Sequence, residues 1–174
     1  MIRRAAWPAM FILVMFFGFA RTGACFMQDT ARLKVIRNIP IVKGTINGIA
    51  AHFLVDTGST ITVLNESLQH DYGFSVSKNR FWNRRLIIGM GGRCFLKQAD
   101  DVTIGLGNMH LEFVNKTADL SLLSEQFASK GIAIAGIIGT DLLCFLGANI
   151  DLKTQIITFN TDTRPLVNVT AYAK

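Results

Sequence analysis

The sequence predicts a mostly β, barrel-like domain with one or two short helices. Its apolar runs are short and closely spaced, and turn residues bound them. Glycine is frequent, at 15 of 174 residues, as a fold with many turns requires. Asn47-Gly48 stands between two apolar-rich runs, 39–46 and 49–55, which is the pattern of a two-residue type I′ hairpin. Composition alone does not separate this domain from other β folds.

Taken in order, residues 1–24 read as an export signal or an uncleaved membrane anchor. Arg3 and Arg4 precede an uninterrupted apolar run, 9–20, and small residues offer cleavage after Ala20 or Ala24. That run is short for a spanning helix, which needs ~20 apolar residues. Either way the domain is expected outside the cytoplasm, periplasmic or secreted. Lipidation of Cys25 is disfavoured by Thr22, which stands where a lipoprotein site usually has a larger aliphatic residue. Residues 25–38 read as a linker, polar over 28–32, with a short strand at 33–36. The main domain is expected over 39–162 and a fraying tail over 163–174.

The hairpin 39–55 leads into Asp56, and a further strand follows at 60–64. Asn65 is placed to cap a short helix that Gly73 ends. Residues 78–85 interleave Lys78, Arg80, Arg84 and Arg85 with Phe81 and Trp82. An exposed strand edge is the preferred reading there, over a nucleic-acid or anionic-membrane patch. Gly89-Met90-Gly91-Gly92 then forms the tip of a hairpin. It lacks the P-loop spacing and no helix-forming segment follows it. Another hairpin turns at 105–108, and a helical or irregular crossover spans 121–130. A buried strand covers 132–138. Thr140 or Asp141 caps a short helix that Gly147 stops, and a last hairpin pairs 149–151 with 156–159. Three short glycosylation patterns occur, at Asn65, Asn115 and Asn168.

The bulk charge narrows the function classes. The formal charge is +6, and residues beyond 24 carry 15 basic against 12 acidic side chains. That excess is too mild to argue for a nucleic-acid partner. Cys25, Cys94 and Cys144 have no metal-ligand spacing, and His52, His70 and His110 are scattered. No metal and no cofactor is predicted.

The chemistry concentrates in Phe53-Leu54-Val55-Asp56-Thr57-Gly58-Ser59-Thr60. An apolar run delivers one carboxylate, and small hydroxyl residues and a glycine follow at once. A carboxylate at the end of a buried strand is costly unless it is hydrogen-bonded. An Asx-turn between two strands fits the tripeptide alone. However, the stretch resembles the active-site loop of aspartic proteases. Far along the chain, Ile137-Ile138-Gly139-Thr140-Asp141-Leu142-Leu143 resembles their other signature. Together they are similar to one subunit of the retropepsin-like, retroviral-type aspartic proteases, over about 40–159.

The resemblance implies the closed acid-protease barrel and an aspartic-type endopeptidase acting on polypeptide. A single Asp-Thr-Gly implies a homodimer with the site on its two-fold axis. Asp56 would be catalytic, and Thr57 would lock the two loops across the dimer. Gly58 would donate its N–H to the carboxylates, and Ser59 would bond the outer carboxylate oxygen. Many retroviral members have alanine at the Ser59 position. Met90, Gly91 and Gly92 would be the flap over bound peptide, an ordinary glycine-rich turn being the alternative. Ile137, Ile138 and Gly139 would pack behind the loop. Asp141 reads as a helix cap in preference to a second carboxylate. A different class, a non-catalytic peptide-binding or assembly module that keeps the fold, is disfavoured by the intact Asp56, Thr57 and Gly58.

Overall fold

The computed structural model describes residues 27–77, 86–89 and 92–161. Residues 1–24, the basic-aromatic stretch 78–85, Met90, Gly91 and the tail 163–174 lie outside the described residues. The chain opens with a three-strand meander: β1 (Met27–Ile36), β2 (Ile39–Ile46) and β3 (Ile49–Val55). Both of its turns are two residues long with positive φ throughout. Asn47 and Gly48 stand at +50° and +80°, the geometry their sequence predicts. Arg37 and Asn38 stand at +52° and +65°. Arginine carries no signal for that conformation.

β1 corrects the boundary expected at residue 38. Residues 28–32 are strand and not linker, because they pair antiparallel with the far end of the chain, from Met27 opposite Thr161 to Arg32 opposite Ile156. Their polar look reflects alternation: Leu33 is buried while Arg32 and Lys34 beside it are exposed.

The chain continues through β4 (Val63–Asn65), a 3-10 turn at Glu66–Leu68, α1 (Gln69–Tyr72) and β5 (Ser75–Val76). Next come the hairpin of β6 (Leu86–Gly89) and β7 (Gly92–Phe95), then β8 (Lys97–Asp100), β9 (Ile104–Leu106), β10 (Met109–Leu111) and β11 (Lys116–Ala118). The last part holds α2 (Ser121–Ala128), β12 (Ile134–Ile138), α3 (Thr140–Phe145), β13 (Asn149–Asp151) and β14 (Ile156–Thr161). Among the described residues there are three short α-helices, α1, α2 and α3, in a mostly β chain as expected. Asn65 caps the 3-10 turn, accepting from Ser67 N at 3.2 Å, and left-handed Gly73 ends α1.

The main sheet runs β13-β14-β1-β2-β3-β12-β4-β11-β8-β5, with β9 on β2 and β10 on β9. This is an open path, so backbone pairing does not close the barrel among the described residues. Its two ends nevertheless share one core. Ile157 and Phe159 of β14 belong to the same buried cluster as Ala99 of β8 and Phe74 beside β5. Only a curved sheet brings both ends to one interior. Phe53, Ile138 and Leu142 are at its centre, and each full burial stabilises by about 1.5–3 kcal/mol. The opposite face of β1–β3 and β12 is covered by Phe127 of α2, which packs with Ile36, Ile41, Leu54 and Ile134.

β12 is the strand that makes the site. It lies between β3 and β4, parallel to the first and antiparallel to the second. Two strands consecutive in sequence are thereby held apart, and their connection, 56–62, must pass the end of β12. Gly136 permits the close approach: a Cβ there would stand 2.6 Å from the Val63 carbonyl oxygen.

Candidate active site

Val55 is the last residue of β3, and Asp56 extends the β3–β12 ladder by one bond. Its N–H donates to the Ile138 carbonyl at 3.0 Å. The chain then turns at once. Gly58 N–H donates to Asp56 Oδ1 at 2.8 Å, and Ser59 N–H to the Asp56 carbonyl at 3.2 Å. This is Asx-turn geometry, which the tripeptide alone allows and which is compatible with a working carboxylate at the same position. The turn holds Oδ1 and leaves Oδ2 without a hydrogen bond among the described residues. Asp56 is half-buried, and Thr57 and Gly58 are exposed at the tip.

Ser59 departs from its expected part. Its hydroxyl donates to the Ile61 carbonyl at 2.8 Å and not to Asp56. It therefore shapes the outgoing side of the loop. Ile138 is fully buried, Ile137 half-buried, and Gly139 lies directly against Ile61.

The first turn of α3 supports the loop from below. Thr140 gives both its N–H and its hydroxyl to the Ser59 carbonyl, at 2.8 and 3.0 Å. Gly139 N–H donates to Thr62 Oγ1 at 3.0 Å. The N-cap position belongs to Gly139, with no side-chain cap bond, so neither Thr140 nor Asp141 is the cap expected from the sequence. Asp141 accepts from Thr62 instead, at 2.9 Å from the N–H and 2.6 Å from the hydroxyl. Thr62 was not among the expected site residues. Its signal was a hydroxyl inside the apolar run 61–64, and it is 3% exposed.

Gly92 opens β7 opposite Gly89 of β6, so the predicted glycine hairpin is present; Met90 and Gly91 at its tip lie outside the described residues. Of the other polar candidates, Asn65 is fully buried with its amide bonded to the Ile134 carbonyl at 3.0 Å. A glycan on that amide is incompatible with the folded chain.

Residues 42–142 match the family model described as aspartyl protease. The match runs from β2 into the first turn of α3 and holds the whole loop and its supports. Among solved structures, the chain is similar to EIAV protease in complex with an inhibitor, at 24% identity and TM-score 0.44, covering 68% of this chain and 98% of that one. It is similar to a retropepsin-like aspartic protease from Rickettsia conorii, at 14% identity and TM-score 0.47, covering 78% and 94%. A retroviral protease-like domain from Leishmania major matches at 22% identity and TM-score 0.46, covering 70% and 88%. Among curated proteins, none matches.

Proposed function

This chain belongs to the aspartyl protease family, and on that premise we propose that it is an endopeptidase whose site is completed by a second copy of itself. Amide hydrolysis without a metal or a covalent nucleophile needs a water deprotonated and a leaving nitrogen protonated. Two carboxylates sharing one proton do both, and aspartic proteases are the standard example. The chain carries one Asp-Thr-Gly. The second Asp56 comes from a partner subunit across a two-fold axis.

The ionised Asp56 takes a proton from water as the hydroxide attacks the peptide carbonyl carbon. The protonated Asp56 of the other subunit donates to the carbonyl oxygen. The Asp56 that took the proton from water then gives it to the leaving nitrogen as the C–N bond breaks, a hydroxyl of the diol passes its proton to the other Asp56 as the new carboxyl group forms, and the dyad again holds one shared proton. Thr57, exposed at the tip, joins the two loops. Met90, Gly91 and Gly92 close over an extended peptide held by main-chain hydrogen bonds. β1 and β14 already pair within one chain, so the edge left at that end of the sheet is β13. Residues 1–24 direct export or anchor the chain to a membrane.

One observation carries this reading: a half-buried Asp56 whose Oδ1 is fixed by Gly58 N–H while Oδ2 is left open. Incubation with a peptide library tests it. Wild type should cleave, and Asp56→Asn should not, with unchanged fold and association. Equal turnover by the two sinks the assignment. For export, intact mass of envelope or secreted material should show a start near Arg21 or Cys25. A detergent-extracted chain beginning at Met1 would favour the anchor, and an unprocessed cytosolic chain would defeat both.

A further inference from the structure

We propose that Asp141 is a positioning residue for Asp56. Its carboxylate clamps Thr62 and so fixes the loop that presents the catalytic group. The kinetic side of this rests on the peptidase reading above, and the structural side does not.

The hydrogen-bond directions carry the argument. Thr62 Oγ1 accepts from Gly139 N–H, so its single proton must go elsewhere. It goes to Asp141 Oδ1 at 2.6 Å. The Thr62 N–H goes to Oδ2 at 2.9 Å, and Leu142 N–H to Oδ1 at 2.7 Å. Each oxygen of Asp141 faces a backbone N–H, Thr62 on Oδ2 and Leu142 on Oδ1, which can only donate. A side chain that accepts on both oxygens is therefore required, and a carboxylate is that group. Asparagine would turn an NH2 toward at least one donor, whichever way it flips. Both oxygens of Asp141 are engaged, which sets it apart from Asp56 with its open Oδ2.

The clamp acts on the loop at two points. Ser59 is tied through its carbonyl to Thr140, and Thr62 is tied to Asp141. Both anchors lie in the first turn of α3, where the helix end also favours a negative side chain. With Ser59 and Thr62 pinned there and Asp56 pinned to Ile138, Thr57 and Gly58 are the part of the loop tied to neither β12 nor α3, and Gly58 N–H is tied to Asp56 itself. A dyad built from two such loops needs each carboxylate placed to within about 0.5 Å.

Steady-state kinetics and amide hydrogen exchange on the full chain test this. Asp141→Asn should lower kcat by roughly 10- to 100-fold, the scale of a misplaced reacting group, with KM nearly unchanged. Thr62→Val should do the same, and Thr62→Ser should restore wild-type kcat. The double variant Asp141→Asn, Thr62→Val should be no worse than the poorer single, because both break one connection. The Thr62 amide should exchange at least tenfold faster in Asp141→Asn while amides of β3 stay protected. Exchange needs no turnover, so if the wild type cleaves nothing, the peptidase reading fails alone. Unchanged kcat and unchanged exchange in Asp141→Asn would overturn the proposal. So would a loss as complete as that of Asp56→Asn with normal exchange, which would make Asp141 a proton carrier. If Asp141→Asn does not fold, the Thr62 pair decides: equal kcat and exchange in the valine and serine variants would overturn it.

Discussion

Gly139 lies against the backbone of Ile61 so closely that a Cβ on it would stand 2.5 Å from the Ile61 carbonyl oxygen and 2.6 Å from its carbon. The obstacle is backbone and not the end of a flexible side chain, so relief requires the loop itself to move. This is a different reason for glycine from the turn at Asn47-Gly48, where the cause is positive φ.

Gly139→Ala should therefore damage activity beyond its effect on stability. Overpacking of this kind costs about 1–3 kcal/mol. The displaced segment is the one that leads from Ser59 to Thr62, so peptide cleavage should fall more than tenfold, on the order expected for a misplaced group. Thermal denaturation and kcat on the same preparation check this. Wild-type kcat in a variant that melts several degrees lower would show that the contact supports the fold and not the site.

How far the sequence reveals these parts depends on their range. Asn47-Gly48 was legible because two adjacent residues determine the turn. The Asp56 loop was legible because its parts are consecutive and its strand is apolar. Of β1, the strand at 33–36 was legible but 27–32 was not, because its partner β14 lies at the other end of the chain and Thr30 and Arg32 are exposed. The Thr62–Asp141 connection was invisible for the same reason, since 79 positions separate its members. Ser59 misled differently: its hydroxyl can reach either a carboxylate or a nearby carbonyl, and the loop's curvature gives it Ile61.

Asn65 should prove the costliest polar residue to remove outside the loop. It is fully buried, and its side chain accepts from Leu120 N–H at 3.1 Å and from Ser67, while donating to the Ile134 carbonyl. It thus joins β4, β12 and the entry to α2. Asn65→Ala orphans two buried backbone groups, at ~1–3 kcal/mol each. Denaturant titration should show a midpoint loss of that size with unchanged slope. A loss below about 1 kcal/mol would mean that water takes over both groups.

His52 should give the fold an acid-sensitive limb. Burial in β3 depresses its pKa, and the nearby Lys43 and then Lys34 add to this. Lys43 stands directly opposite it on β2. A histidine held below its ordinary value of about 6.5 binds its proton more readily when unfolded. Its contribution to stability is then fully present above that value and is lost as pH falls through the folded one. Melting temperature should decline from pH 7 toward pH 5, and His52→Gln should flatten part of the decline. Identical profiles for the two proteins would remove His52 as a cause.

That decline meets the last prediction, because catalysis should need acid and a dimer together. One chain supplies one Asp56, and the mechanism needs two carboxylates with one proton between them. A pair that works with one proton between its two carboxylates is active in only one of its protonation states. Rate should then fall on the alkaline side, where that proton leaves, and on the acid side, where the second carboxylate gains one. Weak association adds a further signature: specific activity should rise with enzyme concentration, because a monomer lacks half its site. Excess Asp56→Asn chain mixed with wild type should poison activity by forming mixed dimers. Sedimentation beside activity titration decides the matter. A monomer with full, concentration-independent activity would refute the shared site and would require the second carboxylate to come from the same chain. Asp141, the one acid in the first turn of α3 beneath the loop, would then be the first residue to reconsider, and its bonds to Thr62 would have to break for it to serve.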